Sequence, residues 1–278
     1  NTFFDELVNS DDFIQNTKAL NALQDANIFW RTNILPLRAG SIQKQIQTEK
    51  TLKAREGITG TDRDDPETIQ KLLENKNFSG NYVECGVFMG GTLMSAVEFT
   101  KQNNINFNFF GVDTFNGFPT VTKHDDNDLP SKFIDLYESK LISKEHFEKA
   151  KSRTNNFSDI SHLEPPYFKS NFSFLFKFCE KNNVSLIKGK FNETLTNFDN
   201  DINILHIDCD LYDSYLNCLD NLYKRVVDGG CVIFDEYYSY KYPGARIAVN
   251  EFFMDKKGFF EKYITPDGFE RWCFIKEQ

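Results

Sequence analysis

The sequence predicts an α/β fold built on an open, mostly parallel sheet, and three observations carry that prediction. Ile204-Leu205-His206-Ile207-Asp208 and Cys231-Val232-Ile233-Phe234-Asp235-Glu236 are apolar runs that each stop at carboxylates. Buried parallel strands read this way, and an open sheet gathers polar chemistry at their carboxyl ends. Asn81 to Gly86 is a strand-length run that meets a glycine turn (Gly86, Gly90, Gly91) and then a helix-length segment. Phe107 to Asp113 follows as a second strand, which makes a βαβ unit with the usual right-handed crossover.

Taken in order, residues 1–78 read as a mostly helical N-terminal extension. Phe13, Leu20, Leu23 and Ile28-Phe29-Trp30 give a patchy helical stripe, and Gln43 to Arg55 is polar and charged. Asp65-Pro66-Glu67 opens a helix with an acid cap, a proline at the first helical position and negative charge at the positive end of the dipole. Residues 79–278 form the sheet domain. Its first helix runs from Leu93 to about Lys101, and Thr114 to Pro119 is a turn-rich loop after Asp113. Residues of about 120–168 are a charged insert, long enough to suggest a lid or an inserted helical piece. Phe133, Leu136, Tyr137 and Leu141 place one helix inside it. A helix over Phe172 to Lys181, a strand over Val184 to Lys188, a helix from Ser214 to Val227 and a helix over Gly244 to Lys256 follow around the two acid-tipped strands. Tyr263-Ile264 and Arg271 to Ile275 close the sheet as a hairpin across Pro266-Asp267-Gly268.

A chain of 278 residues with 40% hydrophobic and 26% charged content can bury a full core. The 29 phenylalanines favour a thick aromatic core and a stacking surface for a planar ligand. The formal charge of −9 argues against general phosphate-backbone binding, so no nucleic-acid partner is expected. Six cysteines, with no C-x-x-C pair among them, read as free thiols in a reducing cytoplasm. No apolar run reaches transmembrane length, and no basic-then-apolar leader opens the chain; a cytoplasmic location without a membrane span is the expectation.

The glycine turn and Asp113, at the tip of the next strand, follow the general plan for holding an adenosine. A dinucleotide fingerprint needs a middle glycine for close approach to pyrophosphate, and Phe88 stands there instead. That counts against NAD or FAD and fits a nucleoside without phosphate, such as S-adenosylmethionine. The cofactor's sulfonium and amino groups suit Glu84, and its ribose suits Asp113. Asp208, Asp210, Asp235 and Glu236, set at one rim, repel one another unless a cation or proton joins them, and a hard divalent metal is the expected resident.

Five blocks carry a family resemblance: Val83 to Thr92, Gly111 to Pro119, Ile187 to Leu195, His206 to Ser214 and Gly229 to Tyr237. In this order they resemble the macrocin-type (TylF-like) O-methyltransferases, over about Gly80 to Phe253. The resemblance implies a class I methyltransferase (Rossmann-like) sheet, mostly parallel with an antiparallel final strand. It also implies methylation of sugar hydroxyls with S-adenosylmethionine and magnesium. Carried over, Glu84, Gly86, Phe88 and Thr92 would line the methionine end of the cofactor, with Val87 alongside. Asp113 and the adjoining Thr114 would hold the ribose, while Phe115 and the Gly189-Lys190-Phe191 turn would border the adenine. Asp208, Asp235 and Glu236 match the metal ligands, and Asp210 is the candidate base beside the acceptor hydroxyl. Two departures stand out: the family's paired aspartates are Asp235-Glu236 here, and Cys209 stands where glycine is usual.

Other residues have plainer readings. Asp213 and Ser214 read as an N-cap pair, Asp228 as a turn residue, and His206 as a core histidine. The Asp125-Asp126-Asn127-Asp128 run reads as a solvated loop, since it lacks EF-hand spacing. His124 and His162, in the insert, read as loop residues first and as substrate neighbours second. The expected activity is metal-dependent methyl transfer to a sugar or sugar-nucleotide hydroxyl by a homo-oligomer, a dimer, associating through its N-terminal helices. A catechol or phenol acceptor and a small phosphorylated acceptor are alternatives. A nucleotide-binding oxidoreductase and a non-catalytic subunit come last.

Overall fold

A computed structural model describes residues 79–102, 105–119, 121–125, 129–154, 172–264 and 270–277. The N-terminal extension, His162 and the Pro266–Gly268 turn lie outside them. A seven-stranded sheet organises the rest, in the order β3-β2-β1-β4-β5-β7-β6. Its strands are β1 (Ser79–Cys85), β2 (Asn106–Asp113), β3 (Ser185–Lys188), β4 (Ile202–Ile207), β5 (Val226–Phe234), β6 (Gly258–Ile264) and β7 (Glu270–Lys276). β1 to β5 run parallel, and β7 pairs antiparallel with both β5 and β6. This is the class I methyltransferase sheet, with its antiparallel hairpin at one edge.

The helices are α1 (Gly91–Gln102), α2 (Leu129–Glu138), α3 (Lys144–Thr154), α4 (Ser173–Lys181), the single turn α5 (Phe191–Thr194), α6 (Tyr212–Leu222) and α7 (Pro243–Phe253). Strand alternation splits the core between the two faces of the sheet. Tyr82, Phe109 and Ile204 pack one face with Leu93, Val97 and Phe99 of α1 and Leu175 and Phe178 of α4. Val83, Cys85, Leu205 and Ile207 pack the other with Tyr215 and Leu219 of α6 and Ala248 and Phe253 of α7. All six cysteines are free and buried. Among the described residues no helix is long and apolar enough to cross a membrane.

Three boundaries differ from the sequence reading. The helix expected to reach Val227 ends at Leu222, passes through a 3-10 turn at Tyr223–Arg225, and gives way to β5 at Val226. Asp228 therefore lies within a strand, where Gly229 at φ +74° accompanies a register shift against Ile202 and Ile204. The insert holds a second helix, α3, whose polar sequence hid it. Phe133, Ile142 and Ala150 give the insert a small core that packs on Tyr238 and Tyr240. His146 fastens that core to the sheet: its Nδ1 accepts the Glu270 N–H at 3.0 Å, so Nε2 carries the proton it gives to the Tyr238 carbonyl, also at 3.0 Å.

Candidate active site

Strand order reverses between β1 and β4, the switch point where open α/β sheets bind ligands beyond their carboxyl ends. Gly86 leaves β1 there and Asp208 leaves β4, and the two chain ends touch. The Asp208 N–H donates to the Cys85 carbonyl at 2.9 Å, and the Gly86 N–H to the Val112 carbonyl at 2.9 Å. Above them opens a cavity of about 320 Å³. Gly86, Phe88 and Asp113 line its β1–β2 side, Thr114 to Pro119 form one wall, and Phe172 and Phe191 add rings. Asp208, Cys209, Asp210 and Ser214 form the opposite wall with Lys241 and Tyr242.

Asp113 is committed first to the protein's own backbone. Its Oδ2 accepts the Val87 and Phe88 N–H groups at 2.8 and 2.9 Å, and its Oδ1 accepts the Phe115 N–H at 2.7 Å. The Thr114 hydroxyl lies 3.4 Å from Oδ1 but has one proton and a shorter bond to the Gly117 carbonyl, so of about four acceptor sites one remains for a donor from a ligand. Thr114 donates its hydroxyl to the Gly117 carbonyl at 2.8 Å and holds the loop that forms the wall. Phe115 turns its ring to Phe172 and Phe176 at 5.4 and 5.6 Å.

The expected cofactor residues thus divide. Gly86, Phe88, Asp113, Thr114, Phe115 and Phe191 line the cavity, and Glu84, Val87, Thr92 and Lys190 do not. Glu84, only 1% exposed, turns into the sheet's other environment: its Oε2 accepts the Tyr82 hydroxyl at 2.7 Å and lies 3.6 Å from His206 Nδ1. His206 is the core histidine expected, bonded to Tyr82 at 3.0 Å. Lys190 flanks the short α5 turn, where its carbonyl accepts the Thr194 N–H.

At the acid rim, one oxygen each from Asp208, Asp210 and Glu236 lies within 4.8 Å of the others. Asp235, expected among the ligands, instead pairs its Oδ1 with Arg271 Nη1 at 2.7 Å, and its carbonyl accepts from the same guanidinium at 2.9 Å. The clustered set is therefore Asp208, Asp210 and Glu236, with Asp210 taking the place read for Asp235. Burial pushes the Asp208 carboxyl well up, with Asp235, Asp210 and Glu236 adding repulsion. Burial and Glu236 do the same to Asp210, against the pull of Lys241. Glu236 is pushed up to about 7 by burial and Asp235, opposed by the Ser239 hydroxyl, Arg271 and Lys241. Three hard oxygen donors and no soft ligand fit Mg²⁺ or a similar cation, which would relieve that repulsion. Cys209, on the same wall, is no nucleophile, because burial pushes its thiol up to about 11.

Other site residues escaped the sequence reading. Lys241 and Tyr242 lie in the loop after the second acid tip, and their place one loop beyond Asp235-Glu236 was the available signal. Asp125 caps α6 from the start of the insert: its Oδ1 accepts the Tyr212 N–H at 2.8 Å. The expected Asp213–Ser214 cap is displaced, since the N-cap position is Leu211 and Ser214 is buried on the cavity wall. His124 stacks on Tyr212 at 4.1 Å, outside the cavity lining.

Residues 176–265 match the family described as Macrocin-O-methyltransferase (TylF). Demethyldecarbamoylnovobiocin O-methyltransferase of Streptomyces niveus is 28% identical over 191 residues, covering 67% of this chain. The match covers 64% of that relative, so the chain spans just under two thirds of its length. Among solved structures, the calicheamicin methyltransferase CalS11 superposes with a TM-score of 0.51 at 15% identity, over 96% of this chain and 94% of that one. The O-methyltransferase NovP aligns with a TM-score of 0.45 at 23% identity, over 76% of this chain and 79% of its own. The match to the macrocin-O-methyltransferase (TylF) family over residues 176–265 takes in three of the five motif blocks, Ile187 to Leu195, His206 to Ser214 and Gly229 to Tyr237, and the likeness to CalS11 shows the class I methyltransferase fold.

Proposed function

We propose that the protein transfers a methyl group from S-adenosylmethionine to a sugar hydroxyl, with a divalent cation held by Asp208, Asp210 and Glu236. The observation that carries this reading is the convergence of those three carboxylates on the wall of the cavity that Asp113 and the Gly86 turn border. S-adenosylmethionine would supply the electrophilic methyl. Asp113 has acceptor capacity left for a ribose hydroxyl, and Phe115 and Phe191 offer rings to border the adenine. A sugar hydroxyl is too weak an acid to ionise at neutral pH, and a bound cation would supply the Lewis acidity it lacks.

The chain's own part is alignment and proton removal. The acceptor oxygen must lie in line with the methyl–sulfur bond, and alignment alone can contribute ~7–11 kcal/mol. An oxygen–methyl bond forms as the methyl–sulfur bond breaks, and the hydroxyl proton passes to Asp210, which lines the cavity and has a second carboxylate oxygen besides the one that would hold the cation. Arg271 keeps Asp235 engaged beside the cluster, which lessens the charge the site must tolerate. The sugar acceptor follows from the macrocin-type resemblance. A phenolic acceptor is the second reading, favoured by the Phe118 and Tyr242 rings, 6.3 Å apart on the cavity wall.

The test is calorimetry with S-adenosylhomocysteine, with and without Mg²⁺, followed by turnover on panels of sugar nucleotides and phenols. Asp208→Asn is expected to abolish turnover and leave S-adenosylhomocysteine affinity nearly unchanged. Normal turnover by that variant, or full activity in a chelator, would remove the cation from the reading. Turnover of phenols alone would replace the acceptor.

A further inference from the structure

Tyr215 stands in the first turn of α6 with its side chain fully buried beneath the acid rim. Its hydroxyl donates to the Ile207 carbonyl at 2.9 Å and accepts the Glu236 N–H at 3.2 Å. Ile207 is the last residue of β4, and its carbonyl also receives the Asp235 N–H at 3.1 Å, the final backbone bond between the ends of β4 and β5. The tyrosine hydroxyl adds one more link beyond that bond, made by a side chain where the two main chains begin to part. It joins the residue just before Asp208 to Glu236 itself.

We propose that Tyr215 is a positioning residue whose hydroxyl sets the separation of Asp208 and Glu236, and with it the fit of the carboxylate cluster to a divalent cation. This rests on the cation reading of the site. Mg²⁺ demands near-ideal octahedral geometry with short oxygen contacts, so a small displacement of one carboxylate matters more to binding than to folding. The phenol suits the task because burial pushes its pKa well up and keeps it a neutral donor. Phenylalanine would fill the same space, yet leave the Glu236 N–H without its partner and the Ile207 carbonyl with one bond fewer.

The experiment titrates Mg²⁺ into the full chain by calorimetry, with and without S-adenosylhomocysteine. It compares wild type, Tyr215→Phe and Leu222→Ala, the last a buried variant at the far end of α6 that loosens the same core without touching the hydroxyl. Tyr215→Phe is expected to bind Mg²⁺ about 10-fold more weakly, as for groups that orient metal ligands, with S-adenosylhomocysteine affinity unchanged. Leu222→Ala is expected to lower the melting temperature and keep wild-type Mg²⁺ affinity. Equal Mg²⁺ affinity in wild type and Tyr215→Phe overturns the proposal alone, as does equal weakening in both variants. Absence of Mg²⁺ binding by the wild type overturns the cation reading and this proposal with it. If Tyr215→Phe does not fold, hydrogen exchange at the wild-type Glu236 N–H decides: Mg²⁺ is expected to slow it several-fold, and an unchanged rate overturns the proposal.

Discussion

Gly86 meets two demands that no other residue type satisfies. Its φ is +89°, and a Cβ there would stand 1.9 Å from the Asp208 carbonyl oxygen, a backbone atom that cannot swing away. The glycine foreseen as a cofactor turn is therefore also what lets β1 and β4 close on each other under the cavity. Gly86→Ala is expected to destabilise by on the order of 3 kcal/mol, read by chemical unfolding, and to weaken Mg²⁺ binding by shifting Asp208. A variant as stable as wild type would mean that the contact relaxes freely. Non-glycine residues carry similar strain around the same cavity: Phe88, Phe115 and Asp210 have φ of +48°, +49° and +63°. Each left-handed residue costs roughly 1–2 kcal/mol, and such strain gathers at functional sites. The absent middle glycine was legible as Phe88, but its left-handed backbone was not. Phe88 holds it with its N–H on Asp113, a bond no local pattern announces.

The helix α6 begins with a cap supplied from 87 residues away, and this decides how the insert meets the acid rim. Asp125 Oδ1 takes the Tyr212 N–H, while Oδ2 takes both the N–H and the hydroxyl of Thr122 at 2.9 Å. Gly244, at the start of α7, makes room for it, since a Cβ there would lie 2.1 Å from Asp125 Oδ1. The root of the insert is thus wedged between two helix starts, one turn of chain from Asp210. Asp125→Ala is expected to cost about 1 kcal/mol in unfolding free energy, and Asp125→Asn less, because its amide oxygen can still accept. Equal stability of all three proteins would show that the cap contributes nothing. The sequence carried the acids of this loop plainly but not their use. Asp213-Ser214 matched the local signature of a cap, and the long-range acid won the place. The length of β5 was hidden for a related reason: Asp228-Gly229-Gly230 has the composition of a turn, yet it forms an irregularity inside the strand, between Val226 and Cys231, which both pair with β4.

Across the whole molecule, strand order and the two acid tips were legible because buried parallel strands leave continuous apolar runs that end where water begins. Which carboxylates would converge was not, because that depends on the turn at Asp210 and on Arg271, delivered to Asp235 by a strand that runs the other way. The convergence has a consequence for stability against pH. Burial and mutual repulsion raise the carboxyls of Asp208, Asp210 and Glu236 in the folded chain, Glu236 to about 7, whereas unfolded carboxyls titrate near ~4. Between those values the folded state holds more protons than the unfolded one, so stability falls as pH rises. His146 works in the opposite sense, because burial lowers its pKa and the unfolded state binds its proton first. The comparison of wild type with Glu236→Gln removes that contribution. In a chelator, the melting temperature of the wild type relative to Glu236→Gln is expected to drop from pH 5 to pH 8. On the proposed cation reading, added Mg²⁺ would bind only the deprotonated cluster, so its stabilising effect is expected to be small at pH 5 and large at pH 8. A flat difference curve would mean that Glu236 titrates as an exposed acid. A Mg²⁺ effect independent of pH would mean that the cation binds elsewhere than among these carboxylates.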